Sequence, residues 1–362
     1  MILLGILNRY IARRFAIAIG TIILSVLALM LIIDFVEQFR KYSDQDGFTG
    51  LTSLKLAAMH APAILEDLLP FIILFGTLVC LISLSRKLEL VVARASGLSV
   101  WSFLLAPVTL AALIGGVSST LLNPLATSLT NRAEELETGF RSSKSSRNNS
   151  SGVWFRQSAP TGSSIVHAVA ASNRGEVLRG VRVFVFDHND RFSEKLEAER
   201  AVYQKRSWRL DFVIVAAKGE PPVQVGTYVL PTKLSRDDIR DTLTLPENLS
   251  FWDLPDFIET ARQTGINTDR FILAFHQLLA RPLFLIAMVA IAATVSLRLT
   301  RQGGTGKLVV TGIATGFLLY VATKVISDFG GNGIIDPALS AWAPSIIALT
   351  FGTTILLFQE DG

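Results

Sequence analysis

Three apolar stretches, each long enough to cross a bilayer as a helix, stand on either side of a polar middle in this chain. The first three cover roughly 15–36, 68–85 and 98–122; the last three cover roughly 271–297, 308–327 and 339–358. A hydrocarbon core about 30 Å thick takes about 20 apolar residues as helix, because lipid offers no partner to a bare N–H or C=O. Segment 124–270 holds no such stretch. The pattern constrains the fold to an α-helical integral membrane protein of six transmembrane helices with one inserted domain. The chain then divides into 1–123, 124–270 and 271–362.

Half of the residues are hydrophobic and 18% are charged, below the roughly 25% typical of soluble chains. The net charge of +4 does not point to nucleic acid, because Arg and Lys flank the spans instead of forming one stripe. Arg9, Arg13 and Arg14 precede the first span, Arg86, Lys87 and Arg94 follow the second, and Arg298, Arg301 and Lys307 follow the fourth. Short loops rich in Lys and Arg stay in the cytoplasm. Both termini are therefore expected there, with 124–270 on the far side. Arg40, Lys41 and Lys55 sit on that far side, against the trend. The first span is longer than a secretory h-region and is expected to be retained. The single Cys80 excludes a disulfide within the chain, so the inserted domain needs a packed core.

In the middle segment, short runs at 153–157, 164–170, 180–187, 197–204, 208–216 and 223–230 carry strand signals punctuated by turn residues such as Asp187 to Asp190 and Gly219 to Pro222. Some alternate, as Leu210, Phe212 and Ile214 do. Many short strands with regular turns predict an all-β antiparallel sandwich or jelly roll, whose edges are docking sites for another sheet. The polar run 142–151 reads as a loop. Residues 253–264 read as an amphipathic helix, capped by Asp253, started by Pro255 and stopped by Gly265.

Three groups of residues carry candidate chemistry. In 86–97, Leu88, Val91, Val92 and Ala95 share one helical face, while Arg86, Lys87, Glu89 and Arg94 fill the rest, and Gly97 stops the run. This is either a helix resting on headgroups or a coupling helix that docks on a cytoplasmic motor, with Glu89 meeting a basic residue there. Arg40 and Lys41, after Asp34 and Glu37 at the end of the first span, and Arg132 after the third, either snorkel or ring a cavity mouth that grips phosphates. Arg281 and Pro282 interrupt the fourth span; a charge at that depth faces the bundle interior or water. Lys324 and Asp328 have the spacing of an i, i+4 pair. The glycines at 303–306 before Lys307 lack phosphate-loop spacing and follow a span, so ATP chemistry would come from another chain. The four histidines, His60, His167, His188 and His276, have no metal-ligand spacing, and no nucleophile–base motif is present. No cofactor is expected.

Four strings, in order, carry a resemblance: LNRYI at 7–11, IIDFVEQFRK at 32–41, ELVVARASG at 89–97 and VTGIATGF at 310–317. With the layout of three spans, domain, three spans, the chain resembles the LptF/LptG family, membrane subunits of the lipopolysaccharide export ABC transporter of Gram-negative bacteria, and the LptG branch more than the LptF branch. The resemblance implies an inner-membrane permease with an LptF-type partner, a pair of LptB-type ATPases, an LptC-type bridge protein and a periplasmic jelly roll. It maps the coupling helix onto 88–97, including Leu90, and the basic cavity positions onto Arg40, Lys41 and Arg132. Asp34 departs from the family pattern, which has Lys there; a carboxylate cannot grip a phosphate directly, so either the headgroup is less anionic, a divalent cation bridges, or that position makes no contact. An LptF-type paralogue, a scaffold or sensor with an outer ligand-binding domain, and a membrane-embedded hydrolase are the other readings.

Overall fold

The computed structural model describes the chain apart from residues 1, 44, 46, 96, 98, 141–152, 160–161, 173–175, 188–190, 205, 218–220, 234–245, 264–266, 303–304 and 362. The polar run at 142–151, the turns at 188–190 and 219–220, the stop at Gly265 and the Gly303–Gly304 turn lie outside the described residues. There are two compact units. One takes in 1–133, 246–259 and 267–362; the other takes in 134–245 and 260–266.

In the first unit, α1 is Ile2–Tyr42, α2 Gly50–Arg86, α3 Glu89–Ala95 and α4 Val100–Val117. A π-helical turn, Ser118–Leu122, runs into α5, Asn123–Phe140. After the inserted strands come α6 Leu254–Gln263, α7 Asp269–Gln302, α8 Thr305–Gly331 and α9 Pro337–Asp361. Among the described residues, six helical stretches are long and apolar enough to cross a membrane. The apolar windows of the sequence are the middles of longer helices: α1 has 41 residues and α2 has 37, or about 60 and 55 Å at 1.5 Å per residue. Arg40 and Lys41 therefore fall in the last turn of α1, and Lys55 falls within α2.

Helix α7 lies at the centre, packed by α2, α4, α8 and α9. Apolar burial against lipid offers little drive, so helices in a bilayer need close backbone approach. Small residues supply it. Ala287, Ala290, Ala292 and Ala293 of α7 are buried. At Gly115 of α4 an added Cβ would stand 2.5 Å from Pro282 Cα.

The second unit holds a six-stranded antiparallel sheet in the order β1-β2-β3-β4-β5-β6. The strands are Val153–Ala159, Gly162–Ser172, Val177–Phe186, Phe192–Gln204, Ser207–Ala217 and Val223–Pro231. The inserted unit is all-β, as expected, and its connectivity is a meander of sequence neighbours. The sheet is rolled. Strands β1 and β5 are four ladder steps apart, about 19 Å in a flat sheet. Yet the Trp208 indole N–H donates to Gln157 Oε1 at 3.1 Å, and the Phe155 and Trp208 rings are 6.2 Å apart. Inside the roll, Val166, Leu178, Val183, Leu196, Leu210 and Val213 are buried.

One kink line crosses this sheet. The pairings of β2 to β6 step over Val169, Gly180, Glu199, Phe212 and Gly226, which lie opposite one another in turn. Gly180 and Phe212 take φ of 59° and 57°, the left-handed region. Each kinked strand shifts its alternation by one residue there, so the inward pairs are Leu178 and Val181, Ala198 and Ala201, Leu210 and Val213. This corrects the alternation read at Leu210, Phe212 and Ile214. Leu210 points in, whereas Phe212 and Ile214 are exposed, because the φ of Phe212 moves the apolar face onto Val213.

Candidate functional site

The interior of the helical unit holds one charged node, built around two prolines. Pro282 has no N–H for the carbonyl of Leu278, four residues back. The Ser119 hydroxyl takes that carbonyl instead, donating at 2.6 Å. Pro124 likewise leaves Thr120 O without its helical donor, and the Trp252 indole N–H supplies one at 3.0 Å. The π-helical turn between them sets Ser118 toward α7, where Arg281 Nη1 donates to its hydroxyl at 3.1 Å. The same Arg281 nitrogen pairs with Glu66 of α2. Asn123 Nδ2 donates to Glu66 at 3.0 Å, and its oxygen accepts from Phe251 N at 2.8 Å. Arg281 therefore faces the interior with a carboxylate partner. Sequence reading found Arg281 and missed Glu66. An arginine at span depth demands a carboxylate, and Glu66 stands just before the apolar window at 68–85.

A second polar group joins α1 to α2. His60 Nδ1 stands 3.1 Å from Asp34 Oδ2, Gln38 Nε2 reaches Asp34 at 3.5 Å, and the Ser53 hydroxyl donates to Phe35 O at 2.7 Å. Asp34 thus turns toward α2. One and two turns on, Glu37, Arg40 and Lys41 are exposed, with Lys41 Nζ 5.0 Å over the Tyr42 ring. Arg132 is exposed on α5.

At the other end of α2 lies α3. Leu88 does not belong to its helix: with φ of 59° it makes the break that lets the chain leave α2, and α3 has seven residues, Glu89–Ala95. Leu90 is buried in the bundle, while Leu88 and Val92 are 61% and 67% exposed. The apolar face read from the sequence is thus uncovered at Leu88 and Val92. Arg86 is exposed at the end of α2, and Gly97 takes φ of 84°. The side chains of Val91 and Arg94 lie outside the described ones. Glu89 accepts from the Tyr10 hydroxyl at 3.2 Å. Near the end of α8, Lys324 lies 5.8 Å over the Tyr320 ring; no ion pair with Asp328 is found among the described residues.

In the sheet, burial and the facing Arg182 hold the His167 pKa below its ordinary 6.5. The Lys195 ammonium, 2.7 Å away, holds Glu197 below the usual carboxylate range. Burial, then the bond to Glu194, pushes the Tyr228 hydroxyl up to about 12. A histidine depressed in the folded state contributes stability above its unfolded pKa, and that contribution is lost as pH falls below about 6.5. Acidification from pH 7 to 5, followed by near-ultraviolet dichroism of Trp208, should show a loss of sheet stability that His167→Gln makes shallower.

The chain matches the family described as "Lipopolysaccharide export system permease LptF/LptG" over residues 9–358. It is 24% identical to the lipopolysaccharide export system permease protein LptG of Escherichia coli (strain K12), over 94% of this chain and 95% of that protein. It is 25% identical to the LptG of Haemophilus influenzae (strain ATCC 51907), over 99% of this chain and all of that protein. Helices, inserted sheet and sequence agree: this chain belongs to the LptF/LptG family of lipopolysaccharide export permeases, as a multi-pass membrane protein.

Proposed function

We propose that this chain is an LptG-type permease subunit that lifts lipopolysaccharide out of the outer leaflet of the inner membrane and hands it to a β bridge. In this reading both termini and α3 lie in the cytoplasm and the rolled sheet lies in the periplasm. An LptF-type permease forms the other wall of the cavity, two LptB-type ATPases drive it through Arg86, Leu88 to Val92, Arg94 and Gly97, and an LptC-type protein receives the lipid. The observation that carries the reading is a rolled sheet with an apolar concave face, in a six-span chain of this family.

Energetics dictate the route. At about 0.8 kcal/mol per CH₂, six acyl chains of about 12 carbons would cost roughly 60 kcal/mol to expose to water. Salt bridges to a headgroup, about 1.5–3 kcal/mol each, cannot offset that. The tails have to pass from lipid to a protein cavity and then to an apolar sheet face. Arg40, Lys41 and Arg132 set headgroup orientation, with Glu37 beside them. Asp34 and Arg281 hold helices together and leave the phosphates to the exposed cations.

The test is reconstitution. The full chain, purified with the subunits that accompany it, is placed in liposomes with hexa-acylated lipopolysaccharide and a soluble jelly-roll acceptor. ATP-dependent transfer is expected, and Arg40→Ala with Lys41→Ala should reduce it about tenfold, the equivalent of one lost charge-assisted bond. Transfer without ATP, or none from a complex that hydrolyses ATP, would contradict the reading.

A further inference from the structure

The Tyr10 hydroxyl is a point at which α1 meets α3. Its O–H donates to Glu89 Oε1 at 3.2 Å and accepts from Arg14 Nε at 3.0 Å. The Arg14 guanidinium lies 5.2 Å over the Tyr10 ring. A phenol can donate and accept at once, which neither neighbour can do. It therefore links a cation and a carboxylate on two different helices. Glu89 is the first residue of α3, so a displacement of α3 pulls on α1 at Tyr10.

Where that pull goes follows from α1 itself. The helix is continuous from Ile2 to Tyr42 and has no proline to bend it. It crosses α2 closely at Ile19: a Cβ on Gly76 would stand 2.7 Å from Ile19 Cγ1 and 3.4 Å from its Cα. Beyond that crossing it is joined to α2 again by Asp34 with His60 and by Ser53 with Phe35 O. Its apolar stretch is the least buried of the six, and the side chains it sends into the bundle core, Ile11, Phe15 and Ile19, lie at and before the crossing. Tyr10 stands about 14 Å along the helix on one side of the crossing and Asp34 about 22 Å on the other, at 1.5 Å per residue. A movement of about 1 Å at Tyr10 becomes about 1.6 Å at Asp34 and about 2.3 Å at Arg40 and Lys41 by simple proportion.

We propose that Tyr10 is the positioning residue that ties α3 to α1, and that α1 tilts about the Ile19–Gly76 crossing to carry motion of α3 to its far end. The proposal rests on the reading of α3 as the element driven by a partner ATPase. Tyr10 acts through Glu89, whose carboxylate its hydroxyl reaches.

The experiment uses Tyr10→Phe, which keeps the ring over Arg14 and removes only the hydroxyl, at a site 37% exposed where folding tolerates the change. Two measurements are made on the full complex in liposomes containing hexa-acylated lipopolysaccharide. The first is lipid transferred per ATP hydrolysed. The second is the distance between spin labels at Phe39→Cys on α1 and Leu339→Cys on α9, both exposed in the wild type, with and without ATP. In the parent complex the label distance shifts with ATP. Tyr10→Phe should lose most of that shift and lower lipid per ATP at least threefold. A Tyr10→Phe complex with the parent's shift and the parent's ratio overturns the proposal. So does a parent complex whose α1 does not move with ATP, even if lipid is transferred. A fall in ATP hydrolysis and transfer together, with loss of the co-purifying ATPase, would make Tyr10 a docking support and also overturn it. Absence of any ATPase from the parent complex would instead sink the reading beneath it.

Discussion

Arg281→Ala is expected to destabilise the helical unit by about 3–5 kcal/mol, the usual cost of breaking a buried ion pair from one side. Glu66→Ala should do the same. The reason lies in what is left behind. Without Arg281, the carboxylate of Glu66, 6% exposed, keeps only the Asn123 amide as a donor among the described residues. Without Glu66, the guanidinium keeps only the Ser118 hydroxyl among the described residues. A buried charge with one neutral partner is poorly compensated, and in a span it has little water to turn to. Replacing both residues, as Glu66→Leu with Arg281→Met, removes both charges and should return stability to within about 1–2 kcal/mol of the parent. Unfolding of the full chain in detergent micelles, followed by helical dichroism, measures all four proteins. Equal and additive losses in the singles and the double would mean the two charges do not depend on each other.

Trp208→Ala should cost the sheet about 3–5 kcal/mol, the range for deleting a buried large aromatic. Trp208 is 1% exposed. It touches both sides of the roll: its ring meets Tyr203 at 5.6 Å and Phe155 at 6.2 Å, and its N–H fills Gln157 Oε1. Gln157, itself 2% exposed, would keep, among the described residues, only the bond its amide donates to Ser164. An orphaned buried acceptor adds about 1–3 kcal/mol. Hydrogen exchange on the full chain should show β1 losing protection first, because β1 leans on Trp208 and, among the described residues, pairs in the ladder only with β2. Uniform loss over all six strands would mean that the roll melts as one body.

What the sequence disclosed and what it withheld divide along physical lines. Spans and strands were legible because burial in lipid and in a half-buried sheet imprint simple periods. The kink line was not. At Phe212 an exposed aromatic sits in a left-handed conformation, where alternation alone predicts an inward residue. Helix lengths were underestimated because hydropathy ends where charges begin, whereas a helix can continue into water, as α1 does through Arg40 and Lys41. Arg281 was found as a charge inside an apolar span, and Glu89 on the polar side of the amphipathic run 86–97. Their partners Glu66 and Tyr10 were not, since each lies far away in sequence and no period connects them. Asp34 looked anomalous beside two cations; its proximity to His60 gives it a place between helices.

The proposed ATP-driven passage of acyl chains onto the concave face of the sheet is tested most directly by labelling the two faces of its strands. Val215 and Val225 face inward by their pairings with Leu196 and Val213, whereas Ile214 faces outward with Glu197. Photoreactive side chains at these three positions in the full complex, supplied with hexa-acylated lipopolysaccharide, test it directly. ATP-dependent lipid adducts are expected at 215 and 225 and none above background at 214; equal labelling at all three, or adducts indifferent to ATP, would overturn the proposed transfer.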